Sequence, residues 1–134
     1  MSKALVLISH GHLCEELKKS TEMIMGPQEN IYTVPLLPED GQESYKKKFL
    51  KVVEPLDDYI VLADLMGGTP CNVVSKLIMT GTKIDLYAGM NLPMVIGFIN
   101  GTLIDQPVDL VQEGQKNIHH VNDLLSAALD DDDE

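Results

Sequence analysis

The strongest constraint on the fold comes from two short apolar segments, "ALVLIS" at residues 4–9 and "YIVLAD" at residues 59–64. Apolar residues in them are nearly continuous rather than alternating, which is typical of strands buried on both faces. Such strands form the centre of a parallel sheet that helices cover on both sides. Two weaker strands are predicted at residues 31–36 and 83–89, and Pro35 places the first of these at an edge or a strand end.

Segments with helical periodicity separate these strands. In the first, one stripe is formed by Cys14, Leu17, Thr21 and Ile24. Gly26 followed by Pro27 is expected to end this helix. The helices are predicted over residues 13–25, from Asp40 (with Glu43 completing a capping box) to before Pro55, from Thr69 and Pro70 onward, over residues 92–99, from near Pro107 to Gly114, and over the segment "LLSAAL".

The alternation of strands and helices predicts an α/β fold with a doubly wound, mostly parallel sheet. The expected strand order is 2-1-3-4, with helices on both faces. A chain of 134 residues fits one domain, which we assign to residues 1–129. The remaining residues, 130–134, form an acidic tail that is expected to be solvated.

Composition narrows the function. The net charge is −11 and the chain contains no arginine, which disfavours nucleic-acid binding. Without arginine, a phosphate would depend on backbone N–H groups, hydroxyls or lysines. No apolar segment approaches the length of a membrane span and the N-terminus lacks a signal-peptide pattern, so a cytoplasmic location is expected. The two cysteines lack CxxC spacing, which favours reduced thiols.

Polar residues follow the two central strands where each one ends. Ligands bind to open parallel sheets at the carboxyl ends of the strands, at the point where strand order reverses. His10 ends the first strand and Asp64 ends the third, and the predicted order makes these strands neighbours. A carboxylate that accepts the Nδ1–H of an imidazole leaves Nε2 with a free lone pair.

The segment "DLMGGTPCN" after the third strand is typical of an anion-binding turn. Gly67 and Gly68 are expected to adopt positive φ and to allow close approach of a ligand. Thr69 adds a hydroxyl at a helix N-terminus, and the backbone of Gly11 faces the same place. This arrangement favours transient phosphorylation of His10. The alternative is that these residues only form a turn and a helix cap.

A metalloenzyme is a second alternative. His10, His12, Cys14 and Glu15 resemble a ligand set, with Asp64 nearby. However, the intervening glycine and the following helix should turn the two imidazoles apart, and no second cluster completes a site. We therefore expect no metal and no other cofactor.

Three segments together resemble the IIA component of the mannose family of the bacterial sugar phosphotransferase system: "SHGHLCEELKKSTEMIMGPQENI", "DLMGGTPCNVVSKL" and "GMNLPMV". The resemblance extends from about residue 3 to residue 125. It implies that His10 takes a phosphoryl group from the histidine phosphocarrier protein and passes it to the IIB protein, which acts with the membrane IIC and IID components in sugar uptake. It also implies that Asp64 orients His10 and that Thr69 binds the phosphoryl group.

The same resemblance implies further features. Asn91 and Pro93 would lie beside the site, in the segment after the fourth strand. Members of the family are dimers that exchange an antiparallel fifth strand, and "NIHHV" at residues 117–121 falls where that strand would lie. We therefore predict a homodimer.

Three residues are candidates for the rim of the site. His12 could shape the rim or alter the charge near His10, or it could simply begin the helix. Met23 lies off the main stripe of its helix, as expected of a contact for a protein partner. Met66 has either that role or a place in the core. IIA-like domains also occur in transcription regulators and as phosphoryl donors to dihydroxyacetone kinase, although the S-H-G-H context differs from the S-H-S typical of those donors.

Overall fold

The computed structural model describes residues 3–132, so the last two residues of the predicted acidic tail lie outside the described residues. The described chain forms a four-stranded parallel sheet in the order β2-β1-β3-β4. This confirms the predicted fold class and strand order. The elements are β1 (Ala4–His10), α1 (Leu13–Met25), β2 (Ile31–Leu36), α2 (Gln42–Val53), β3 (Tyr59–Ala63), α3 (Thr69–Met79), β4 (Asp85–Ala88), α4 (Leu92–Leu103), α5 (Leu110–Gln115) and α6 (Val121–Asp132).

The two central strands are buried on both faces, as their continuous apolar sequence predicts. Leu5 and Leu7 of β1 pack with α1, α4 and α5 on one face of the sheet. Val6 and Ile8, which alternate with them, pack with α2 and α3 on the other face. This burial fixes the register of β1 against β2 and β3, and with it the positions of the residues that follow the strands.

The start of α2 differs from the prediction. The expected capping box between Asp40 and Glu43 does not form. Gly41 is the N-cap, and its N–H donates to the hydroxyl of Ser44 at 3.0 Å. The Asp40 carboxylate instead accepts a hydrogen bond from Lys48 at 2.7 Å, so it fastens the preceding turn to the helix.

The expected antiparallel edge strand at residues 117–121 is not present in this structure. Residues 117–120 form a turn and coil, and α6 begins at Val121. The N–H of Asp123 donates to the carbonyl of His120 at 3.0 Å, and the two side chains also approach within 3.0 Å. A strand forms only where another strand supplies its ladder hydrogen bonds, and these local contacts favour a helix start instead. The helix continues into the first residues of the predicted tail.

In the part of the chain from residue 3 to residue 132, no helix is both long enough and apolar enough to span a membrane.

Candidate functional site

His10 and Asp64 meet at the carboxyl edge of the sheet, where β1 and β3 are adjacent. The Nδ1 atom of His10 lies 2.8 Å from Oδ2 of Asp64, and the backbone N–H of His10 donates to the same oxygen at 2.9 Å. Because a carboxylate can only accept, the Nδ1 atom carries the proton. The Nε2 atom is therefore left with its lone pair, as the sequence analysis predicts.

The side chain of Asp64 is far more buried than that of the histidine it orients. Its side chain is 8% exposed, whereas the His10 side chain is 46% exposed. Partial burial raises the pKa of the Asp64 carboxyl, but hydrogen bonds from the His10 backbone, the His10 ring and the Leu65 N–H lower it more, so the net pKa is below the ordinary value. The carboxylate thus remains ionised and fixes the tautomer of His10.

Gly68 lies directly against the imidazole of His10. A Cβ at this position would be 2.7 Å from Nε2 and closer still to Cε1, so only glycine fits beside the ring. The prediction of positive φ is confirmed for Gly67, at φ 96°, but is wrong for Gly68, at φ −91°. Gly68 is needed for space rather than for backbone conformation.

The N-terminus of α3 faces the same place. Gly68 is the N-cap and Thr69 is the first helical residue, so the helix begins one residue earlier than the predicted cap at Thr69 implies. Within residues 3–132, the N–H groups of Gly67, Gly68 and Thr69 and the Thr69 hydroxyl donate to no protein acceptor. Together they offer neutral donors and the positive end of a helix dipole beside Nε2.

Gly11 does not join these donors. It adopts the positive φ of 57°, but its N–H donates to the carbonyl of Leu36 at 2.7 Å and so extends the pairing of β1 with β2. The expectation that the N–H of Gly11 is a donor for phosphate is therefore wrong, because that N–H is already bonded.

Ser9 has a role that the sequence analysis missed. Its buried hydroxyl donates to the carbonyl of Gly11 at 2.9 Å and accepts the N–H of Cys14 at 2.9 Å. These contacts fix the turn after His10 and satisfy one free donor at the start of α1. The sequence pattern that could have indicated this role is a serine at the end of a buried strand, a few residues before a helix start.

The predicted rim residues have different positions. Met66 is 85% exposed in the turn beside Gly67, and His12 is 67% exposed, with Nδ1 at 2.9 Å from Oε1 of Glu15. Met23 is 90% exposed, and its contact with a protein partner stays a prediction. It lies ten residues along α1, which begins at the site edge, so a rise of about 1.5 Å per residue carries it roughly 15 Å away.

Asn91 has a structural role in the loop after β4. Its side chain accepts the N–H of Met94 at 3.0 Å as the N-cap of α4, and it donates to the carbonyl of Gly114 at 3.2 Å. Pro93 occupies the first turn of the same helix. The segment is therefore rigid at the carboxyl edge of β4, two strands away from His10.

The ring nitrogens of His10 and His12 contact different carboxylates, Asp64 and Glu15. Among the described residues, no group of three or more histidine, cysteine, aspartate or glutamate side chains is arranged to hold a metal ion.

Comparison with known proteins agrees with this geometry. Residues 4–113 match the EIIA-man family, the "PTS system fructose IIA component". The sorbose-specific EIIA component of Lacticaseibacillus casei is 31% identical over 94 residues, covering 69% of this chain and 68% of that protein. The mannose-specific EIIAB component of Escherichia coli K12 is 31% identical over 99 residues, which cover 72% of this chain but only 31% of that protein.

A solved structure gives the same result. The mannose/sorbose specific IIA subunit from Enterococcus faecalis superimposes with a TM-score of 0.76 at 33% identity, covering 89% of this chain and 94% of that one. The fold, the sequence match over most of the chain and the arrangement at the sheet edge agree. The chain therefore belongs to the EIIA-man family of IIA components of the sugar phosphotransferase system.

Proposed function

We propose that this chain is a phosphocarrier in which His10 accepts a phosphoryl group from the histidine phosphocarrier protein and passes it to a cognate IIB protein. That IIB protein would act with the membrane IIC and IID components in sugar uptake. The observation that carries the proposal is the environment of one ring: Asp64 binds Nδ1 of His10, while Nε2 lies beside Gly68 and the free donors that follow it.

The chemistry follows from this tautomer. The Nε2 lone pair of His10 attacks phosphorus, a new P–N bond forms, and the P–N bond of the donor phosphohistidine breaks with its electron pair returning to the donor nitrogen. The Nδ1 proton stays on the hydrogen bond to Asp64 throughout, so no proton has to be exchanged with solvent. The N–H groups near Thr69 and its hydroxyl would bind the phosphoryl oxygens.

The donors also suit a carrier that must release its load. Each hydrogen bond from a neutral N–H or O–H donor to a phosphoryl oxygen contributes about 1.5–3 kcal/mol, because the acceptor is charged, and a cationic donor would add a Coulombic attraction to that. A chain without arginine cannot bind the phosphoryl group through a bidentate guanidinium. Such a site lowers the barrier to transfer without trapping the intermediate.

The sugar would be selected by other components. One relative is named for sorbose and another for mannose, yet both are 31% identical to this chain. That is expected if the IIA domain handles only the phosphoryl group.

We also propose that the chain forms a homodimer, because Leu124, Leu125 and Leu129 of α6 are more than half exposed on one side of the helix.

The direct test is labelling with phosphorylated histidine phosphocarrier protein. We expect an acid-labile, base-stable adduct that mass spectrometry places on His10, and we expect transfer of that label to the cognate IIB protein. His10→Ala should abolish labelling, whereas His119→Ala, a change on the exposed segment before α6, should not.

Equal labelling of the His10→Ala variant would refute the proposal. Labelling of His10 without transfer to the IIB protein would favour a donor to another acceptor, such as dihydroxyacetone kinase, or a regulatory module.

A further inference from the structure

His12 forms a second imidazole–carboxylate pair close to the first. Its Nδ1 atom lies 2.9 Å from Oε1 of Glu15, one turn into α1, and must carry a proton because the carboxylate only accepts. The side chain is 67% exposed, and within residues 3–132 no protein group bonds to its Nε2 atom. The ring is thus fixed at one nitrogen and open to solvent at the other.

The segments that form this edge of the sheet are poor in cationic side chains. The whole chain has no arginine, and no lysine occurs in any of the four segments that follow the strands at this edge or in the first turn of the helix after each. The ammonium group of Lys48, from α2, does reach this edge beside β2, but it is bonded to the Asp40 carboxylate and to the carbonyl of Pro35, at 2.7 Å each. The four segments without lysine are residues 11–16, 37–45, 64–72 and 89–95.

His12 is also held at a short distance from His10. One residue separates them, so their Cα atoms are at most about 7 Å apart. The hydroxyl of Ser9 bonds to the backbone of Gly11 and of Cys14, and so fixes the turn that contains His12. The separation of the two rings therefore varies only through the His12 side chain, which Glu15 restrains.

We propose that protonated His12 provides the positive charge that compensates the phosphoryl group on His10, and that Glu15 orients it for this purpose. This inference rests on the proposed function of His10. A phosphoryl group brings up to two negative charges to an edge that already holds the Asp64 carboxylate. The other charged groups of the turn and first helical turn are Glu15 itself and Glu16, which is paired with Lys19 at 3.2 Å.

His12 is a positioning residue in this scheme and never carries the phosphoryl group. With the backbone separation of about 7 Å taken as the scale of the distance between the charges, a unit positive charge beside a dianion in a medium close to water favours the phosphorylated state by roughly five- to tenfold. The effect is large enough to measure and small enough to leave transfer reversible.

The test is the equilibrium between the phosphorylated histidine phosphocarrier protein and this chain, measured at low salt and at one fixed, mildly acidic pH. His12→Gln should lower the equilibrium constant for transfer of the phosphoryl group to this chain about fivefold. His12→Lys, which keeps the charge, should restore it to within about twofold of the unaltered chain. At about 1 M salt, where the Debye length is ~3 Å, the difference between His12→Gln and the unaltered chain should nearly vanish.

The chain offers a matched control at the start of α6. His120 pairs with Asp123 at 3.0 Å with the same spacing of three residues, and its side chain is 70% exposed. It follows α5 on the β4 side of the sheet, and His120→Gln should leave the equilibrium unchanged.

Three results would overturn the inference: an unchanged equilibrium in His12→Gln, a loss that His12→Lys does not restore, or a loss that is independent of salt. Absence of any label on His10 in the unaltered chain would instead refute the proposed function, so the two failures are distinguishable.

Discussion

Gly68→Ala is the substitution that separates positioning of His10 from stability of the fold. The added Cβ would lie 2.7 Å from Nε2 of His10 and closer to Cε1. Nε2 alone would have to retreat by about 0.8 Å to reach a separation of ~3.5 Å, and Cε1 would have to retreat further. The backbone at this position, φ −91° and ψ 173°, is open to alanine, so the strain acts on the ring rather than on the chain.

The ring is the part that should yield. It is nearly half exposed and can rotate toward solvent, but rotation breaks the 2.8 Å contact of Nδ1 with Asp64 and moves Nε2 away from the donors before α3. Loss of one partly exposed hydrogen bond to a charged group should cost about 1–2 kcal/mol of the free energy of unfolding. A displacement near 1 Å should lower the rate of phosphorylation of His10 by about 100-fold.

The assay pairs urea denaturation with the initial rate of labelling by the phosphorylated histidine phosphocarrier protein. Gly41→Ala is the matched control, because Gly41 is the N-cap of α2 with a similar extended backbone, φ −102° and ψ −172°, and no atom within 4 Å of its added Cβ. It should lose at most a comparable amount of stability and keep its labelling rate. A Gly68→Ala protein that is labelled as fast as the unaltered chain would refute the steric argument.

Three further predictions follow from named contacts. Asp64→Asn should lower the labelling rate of His10 by about 100-fold, since the amide no longer fixes the tautomer, and the same labelling assay measures it. Asp40→Asn should be less stable than the unaltered chain at neutral pH. The hydrogen bond from Lys48 is the largest of the contacts that lower the pKa of Asp40, to about 2. The stabilisation that the Asp40 carboxylate gives the fold is therefore complete above the ordinary carboxyl pKa of ~3.9 and is lost as the pH falls through about 2. Urea denaturation at several pH values would measure the difference in stability between the two proteins, and a difference independent of pH would contradict the assignment. Sedimentation velocity should find a dimer for the full chain and a smaller species when residues 117–134 are removed, and a monomeric full chain would contradict the homodimer.

The sequence was most informative where its pattern was set by burial. Continuous apolar residues in β1 and β3 predicted two central parallel strands, and the structure confirms both them and the order of the sheet. Helix starts were less predictable, because several residues before a helix can serve as the cap. At α2 the choice of Gly41 over Asp40 depends on the tertiary contact of Asp40 with Lys48, which no local pattern reveals.

The site was predictable in its topology but not in its close contacts. Adjacency of His10 and Asp64 follows from strand order alone, and the structure places them 2.8 Å apart. The fit of Gly68 against the ring required coordinates, since glycine in a turn usually indicates positive φ. The place of Met23 relative to the site could not be predicted, because helical periodicity gives the face of a residue and not its distance along the axis from a site.

A strand at residues 117–121 was predicted from the family resemblance, and a single chain does not supply the neighbouring strand that it would pair with. A strand at the edge of a sheet is stabilised by the hydrogen bonds of its neighbour, so its conformation depends on a partner that the local sequence does not encode.

The contrast in exposure between Asp64 and His10 has a functional consequence. In the proposed phosphocarrier, His10 receives the phosphoryl group from one protein and delivers it to another, so its nucleophilic nitrogen has to lie at the surface. Its orientation cannot be left to solvent, because an exposed imidazole exchanges tautomers freely. Burying the carboxylate at 8% exposure while leaving the imidazole 46% exposed satisfies both demands, since the buried partner fixes the proton on Nδ1 and the exposed edge presents Nε2. The backbone of β1 and β3 maintains this division, because the same oxygen of Asp64 accepts the N–H of His10 and its ring.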